Sequence, residues 1–421
     1  MPNISRVGDN LRSSIMGLWD VFEGRIVGVL PAEVRSRMHL DVLKSCALSV
    51  MATCLLFIPA ILGRLGASAE LIAGYYSAGY LGVFFSGVCL WLMRRWGVRV
   101  VSLASWSVGR SVWFLGVFVT SAFWLAVVMT LHSFLELWVG VVNPKLIEQL
   151  YTAQYRGRIM SFVHLMSAVV MVCFTPVAGL ILDRTGYRVL MIIGGMFGLG
   201  AVIAVNQIMA RVVDGLNLRG QVSPVVVSGV WADRPFVLFL ISVVLYGFGS
   251  LVPASIYPIV QMRQLGLSYS SIGWLGFVRS IAWVIGLLFG GWLTDRYGCF
   301  RCLQGIFLVN AMVMLPYLWA SDGLMLVPSF IAFGLVIAGS ELWITYSIIE
   351  LSDPMFLPEY TAICMMVIGA RGLVAPLLGV VLLRMGLSQT NLLVVGAVLT
   401  ICAAAVLFPA IAGRQARNML G

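Results

Sequence analysis

Residues 179–188 read Gly-Leu-Ile-Leu-Asp-Arg-Thr-Gly-Tyr-Arg, and residues 291–301 read Gly-Trp-Leu-Thr-Asp-Arg-Tyr-Gly-Cys-Phe-Arg. Each stretch closes one long apolar run and opens the next. They share a frame: Gly179, Asp183, Arg184, Gly186 and Arg188 stand against Gly291, Asp295, Arg296, Gly298 and Arg301. The chemistry suits a tight turn between helices at a membrane surface. Glycine permits the reversal and close contact, aspartate caps a helix or pairs with an arginine, and arginines anchor to headgroups or helix carbonyl ends. Partial copies occur at Arg94-Arg95-Trp-Gly97-Val-Arg99 and at Gly379-x4-Arg384-x-Gly386.

Outward from these turns the chain is apolar. Of 421 residues 61% are hydrophobic and 10% charged, against about 45–50% and about 25% in a soluble domain. Such a chain cannot make a water-facing surface, which excludes a soluble enzyme, a disordered protein and a nucleic-acid-binding module. A helix crossing about 30 Å of hydrocarbon needs roughly 20 apolar residues. That ruler predicts twelve spans, near 43–63, 71–93, 100–120, 122–143, 159–182, 188–209, 235–258, 271–294, 302–320, 324–348, 360–383 and 390–412. The runs do not alternate, so they are helices and not barrel strands.

The net charge of +10 sits in the short loops. With the N-terminus placed inside, 19 Arg and Lys fall on the inner side and 5 on the outer, with three arginines left within spans. Both ends are therefore expected in the cytoplasm of a bacterium bounded by its inner membrane. Residues 1–42 form a cytoplasmic segment without a compact signal-peptide core. In it Ile15, Leu18, Trp19, Phe22, Ile26 and Val29 recur at helical spacing, as in an interfacial amphipathic helix touching lipid. The polar stretch 211–234 is a central linker between bundles at 43–210 and 235–413, and 414–421 is a cytoplasmic tail. Six of the eight cysteines fall in spans, where a thiol acts as a small apolar residue. Cys299 and Cys302 form a lone C-x-x-C with no second pair, which does not make a zinc site.

The two halves repeat each other. Pro176-Val-Ala-Gly179 recurs 200 residues on as Pro376-Leu-Leu-Gly379, and Glu136-Leu-Trp recurs as Glu341-Leu-Trp. The loop motif follows spans 2, 5, 8 and 11, so a three-helix unit is used four times. Over residues 43–413 this pattern resembles the major facilitator superfamily. The resemblance implies two six-helix bundles of inverted three-helix repeats rocking about a central substrate site. Departures accompany it. Arg94 stands where the family's first loop carries Asp, and Leu90 replaces a Gly, so the latch attributed to that Asp remains available only at Asp295. Glu136, not Arg, stands four residues before Gly140. The glycine series associated with antiport is reduced to Pro176 and Gly179.

Ionisable residues within spans are costly and need an explanation. They are Arg110, His132, Glu136, His164, Arg279, Glu341 and Arg371. His132 and Glu136 share a face of span 4 at i,i+4 spacing, with Arg110 at matching depth in span 3. The pair reads either as a proton-coupling site or as a permanent lock between spans 3 and 4. Glu341 has Arg279 and Arg371 as potential partners. If all of these face one cavity it carries one net positive charge, suited to an anionic or zwitterionic solute. Tyr75, Tyr76, Tyr80, Trp106 and Trp113 read as an aromatic wall or as packing. No G-x-x-x-x-G-K-[ST] occurs, so ATP is not expected as the energy source, and no cofactor or metal cluster is indicated. The sequence thus predicts a non-enzymatic, proton-coupled carrier of a small organic solute, able to act as a monomer. A non-transporting assembly factor or sensor and a lipid flippase remain alternative expectations.

Overall fold

A computed structural model describes residues 24, 31–84, 91–93, 95–136, 150–210, 233–352 and 356–420. Expectations for the N-terminal amphipathic helix, for Cys89, Leu90, Arg94 and Gly140, and for nearly all of the 211–234 linker lie outside these residues. Twelve principal helices run through the described chain. The first half holds α1 (Ala32–Leu56), α2 (Ala69–Gly79), α3 (Val98–Phe118), α4 (Ala122–Glu136), α5 (Ala153–Thr185) and α6 (Tyr187–Ala210). The second holds α7 (Arg234–Leu251), α8 (Tyr269–Tyr297), α9 (Cys299–Met314), α10 (Val327–Leu351), α11 (Leu357–Arg384) and α12 (Gln389–Leu420). Helix α1 continues after a break at Phe57 through Ile58–Arg64, and α7 continues through Ile256–Ile259 and Val260–Gln264. Ten of the twelve spans are described as helices long and apolar enough to cross a membrane; α4 is shorter, and the second span is described only in pieces.

The ends of the spans follow from local chemistry. Helix α1 begins at Ala32, well before residue 43: Pro31 stands at its N-cap, and its Asp41 and Lys44 are buried. Lys44 pairs with Asp41, and Tyr151 Oη donates to Asp41 at 3.3 Å. At 33 residues α5 is about 50 Å long at 1.5 Å per residue, so it overruns the hydrocarbon and also starts earlier than expected. Gly186 and Gly298, the turn glycines of the two full loop motifs, have φ of 77° and 80°, a region closed to most L-residues. Gly386 repeats Gly186 with φ 94°.

The halves are packed alike. In the first, α1 lies on α5 and α6, α3 on α4 and α6, and α2 on α4. In the second, α7 lies on α11 and α12, α9 on α10 and α12, and α8 on α10. Two further contacts join the halves, α5 with α8 and α2 with α11, again related by the repeat. Each half keeps its own apolar core. A further cluster crosses between them, where Phe57, Ile58, Ile61 and Leu62 meet Met262, Tyr269 and Ile272.

Candidate functional site: a cavity between the halves

A cavity of about 220 Å³ lies where the halves meet, above that apolar cluster. The first half contributes Phe57 and Ala60 beyond α1, Tyr76 of α2 and Thr175 of α5. The second contributes Tyr257, Gln261, Arg279, Asn310, Tyr317 and Phe333. Gln261 sits in Val260–Gln264, one turn wound as a π-helix, a distortion frequent at functional sites. Its Nε2 donates to Tyr317 Oη at 2.6 Å, and Asn310 Nδ2 donates to Ser250 Oγ at 2.9 Å. The rings of Tyr257 and Tyr317 lie 4.8 Å apart. The Arg279 guanidinium lies 5.5 Å from the Phe333 ring centre and beside Tyr76 and Tyr317. Among the described residues it has no salt-bridge partner.

One end of the cavity is shut by contacts between the halves. Asp183, at the end of α5, accepts hydrogen bonds from the first amides of α8: Tyr269 N at 2.9 Å and Ser270 N at 2.7 Å, with Ser270 Oγ at 2.5 Å. A carboxylate here meets the positive end of a helix dipole and its unsatisfied donors. Arg64 of the first half lies 3.7 Å from Asp183 and stacks on the Tyr269 ring at 4.5 Å. Arg263 of the second half donates to the carbonyls of Gly63 and Ala67, at 3.2 and 2.6 Å. Gly179 makes the approach possible: a Cβ there would lie 2.5 Å from the Tyr269 carbonyl oxygen. The repeat-related corner, between α11 and α2, is held by Arg384 and Glu70 at 3.5 Å, both exposed. Ser68 and Ser268, 200 residues apart, cap α2 and α8 alike, accepting from Leu71 N and Ser271 N.

At the other end, which bears the start of α1 and the end of α12, the following contacts stay within a half. Arg99 Nη2 donates to Asn206 at 2.9 Å, Tyr360 Oη to Asp233 at 3.1 Å and Cys299 Sγ to Glu350 at 2.5 Å. The second loop motif lies here. Asp295 is exposed and makes no hydrogen bond or ion pair among the described residues. Neighbouring α5 begins at the same end after Thr152, whose side chain does not cap it. Arg296 stacks near Trp292 and Arg95 near Trp91, at 5.5 and 5.6 Å.

The ionisable residues singled out in the sequence divide into three groups. Arg110, 1% exposed, donates to Glu136 at 2.9 Å and to the Gly198 carbonyl at 3.2 Å, tying α3 to α4 and α6. His132 is fully buried; its Nδ1 lies 2.9 Å from the Gly109 carbonyl and its ring packs edge-on against Trp113. It shares the helix face with Glu136 but not a hydrogen bond, and none of the three lines the cavity. Arg371 donates to the Val243 carbonyl and lies 5.4 Å from the Tyr246 ring centre. Glu341 pairs with neither Arg279 nor Arg371; it accepts one hydrogen bond, from Trp283 Nε1 at 3.2 Å. Of the charged residues expected to share a cavity, only Arg279 lines this one. The expected aromatic wall shrinks similarly: Tyr76 lines the cavity, whereas Trp106 and Trp113 are core. The search for charges missed Gln261, Asn310, Tyr257 and Tyr317. The two amides within apolar runs were the signal available, and Gln261 lies past the expected end of span 7.

Two pseudo-symmetric six-helix bundles around a central cavity give the chain the fold of a multi-pass membrane protein. The sequence profile of the Major Facilitator Superfamily matches residues 238–418, most of the second half. No curated protein matches the chain by sequence. Solved structures match its fold along nearly its whole length. A mutant of the nucleoside transporter NupG superposes with a TM-score of 0.72 at 13% identity, covering 90% of this chain and 99% of that one. A bacterial homologue of the iron transporter ferroportin, in an inward-facing state, gives 0.65 at 13% identity over 91% and 99%. A bacterial homologue of the human lysosomal transporter Spinster, inward-facing and unoccupied, gives 0.63 at 14% identity over 91% and 98%.

Proposed function

We propose that the protein moves a small organic solute across the membrane by alternating access, driven by protons. The observation that carries this reading is the cavity lined from both halves, closed at one end by bonds that cross between them. With both chain ends in the cytoplasm of a bacterium, as the basic loops favour, the clasped end is the outer one and the state is inward-facing. In the opposite state Asp183 would release α8, and Asp295 would take up the uncapped amides of α5 at the inner end. One chain contains both halves, so a monomer suffices.

Glu341 is the better-placed proton carrier. It lies on the helix face that also bears Phe330 and Phe333, about 12 Å along α10 from Phe333 at 1.5 Å per residue. A neutral indole is its hydrogen-bond partner, whereas Glu136 is neutralised by Arg110. The fold's neighbours carry cargoes as different as nucleosides and iron, so the cargo here has to be read from this cavity. An assembly factor would need the buried charges mutually paired and the centre filled, and Arg279 and the cavity count against that. A flippase would need a lateral opening between the bundles. The apolar groove of about 450 Å³ between α8, α9 and α10 lies within one half instead. The test is solute uptake into proteoliposomes under an imposed pH gradient. Glu341→Gln should abolish the gradient's effect while Glu136→Gln lowers stability first; gradient-driven uptake unchanged in both variants and in the double variant would remove proton coupling through these residues.

A further inference from the structure

The charge balance of the cavity narrows the cargo, and this inference rests on the transport reading above. A guanidinium withdrawn from water needs an acceptor or a counter-charge, and elsewhere in this protein Arg110 has Glu136 and the Gly198 carbonyl and Arg371 has the Val243 carbonyl. Arg279 has none among the described residues, and no carboxylate lines the cavity it faces. The remaining polar lining is neutral, from Gln261, Asn310, Thr175 and tyrosine hydroxyls, so a substrate ammonium would find no anionic partner. Phe333 stands beside the guanidinium and Tyr76 and Tyr257 line the same cavity, a setting suited to an apolar, ring-bearing body. At about 220 Å³ the space falls below the roughly 300–1,000 Å³ of sites for drug-sized ligands.

We infer that the solute is a small organic monoanion whose carboxylate pairs with the fork of Arg279 and whose ring packs among the aromatic side chains. Guanidinium and carboxylate match geometrically in two parallel hydrogen bonds, which lysine cannot reproduce. The pairing leaves the loaded site neutral. It selects against metal cations, against neutral solutes of the same shape and against amino-acid zwitterions.

Thermal-shift and calorimetric titrations of the purified full-length protein at neutral pH test this with four probes: benzoate, benzamide, acetate and phenylalanine. Benzoate should bind most tightly, with benzamide weaker by roughly tenfold or more for loss of a charge-assisted pair. Acetate lacks the ring and phenylalanine adds an unmatched ammonium, so both should also fall behind. Arg279→Gln should bring benzoate down to the level of benzamide, and Arg279→Lys should recover part of the difference. Because Arg279→Gln removes an unpaired charge, the ligand-free variant should melt no lower than the parent, which separates lost binding from lost folding. Equal binding of benzoate and benzamide, benzoate binding untouched by Arg279→Gln, or no binding by any probe overturns the inference. Flux of labelled probes into proteoliposomes separates the two readings. Benzoate bound but never moved would sink transport and leave the anion site standing; benzamide moved in preference to benzoate would sink the anion site and leave transport standing.

Discussion

The same loop motif is occupied at one end of the molecule and idle at the other. Asp183 caps α8 across the boundary between the halves, while Asp295, in the matching frame, is exposed. Gly179 is pressed against the α8 backbone; Gly291 has nothing within 4 Å of where a Cβ would be. Helices α5 and α8 pack side by side, and the motif aspartate at the C-terminal end of α5 caps the N-terminus of α8. The difference is what the proposed transport cycle expects of a contact used by turns. A second lesson concerns charge. The α5–α8 corner uses a carboxylate on helix amides, whereas the α11–α2 corner uses an exposed Arg384–Glu70 pair, weaker in water.

The largest effect is expected from a change that ignores the ends altogether. Arg110→Met strands Glu136 without its partner, and breaking a buried pair this way costs about 3–5 kcal/mol. Denaturation of the purified protein should show that loss without bias toward either state, and Arg110→Met with Glu136→Leu should recover most of it. Next comes Gly179→Ala, whose Cβ would meet a backbone oxygen that cannot move alone. It should disfavour the clasped state by about 1–3 kcal/mol, the usual cost of overpacking, and Gly291→Ala should leave it unchanged. Accessibility of single cysteines near Arg64 reports the opening. Asp183→Asn keeps the shape but loses the charge facing the helix dipole, for about 1 kcal/mol in the same direction, while Asp295→Asn should affect only the opposite state. Glu70→Gln should change the clasp by less than about 1 kcal/mol, because its ion pair is open to solvent.

The sequence made the helices and their repeat legible because apolar length and glycine turns are local signals. Ten of the twelve runs reappear among the described residues as membrane-length helices, together with the 200-residue offset and the motif glycines. Span starts were less legible: α1 and α5 begin early because tertiary neighbours such as Tyr151 shelter charges that local hydropathy counts as loop. The Arg110–Glu136 bond was among the readings open beforehand, since depth along two adjacent helices brings them level. The partner of Glu341 was not legible, because which of the two arginines, Arg279 or Arg371, faces it depends on helix rotation, and a tryptophan on α8 takes the place instead. Nor does the sequence show that Asp183 reaches across to the other half. The motif suggests capping of a helix, but the helix capped lies 86 residues away and not next in the chain.

The central claim, that the two ends open and close in opposition, is tested most directly by pulsed electron–electron spin-label distances in nanodiscs. One pair, Thr185→Cys with Met385→Cys, spans the halves at the Asp183 end; the other, Arg158→Cys with Tyr297→Cys, spans them at the Asp295 end, both in a background without the native cysteines. The account predicts a short first distance and a long second one in the resting protein, exchanging in opposite directions as pH or solute is varied, with Asp183→Asn enriching the exchanged population. Two distances that stay fixed under every condition, or that lengthen together, would contradict it.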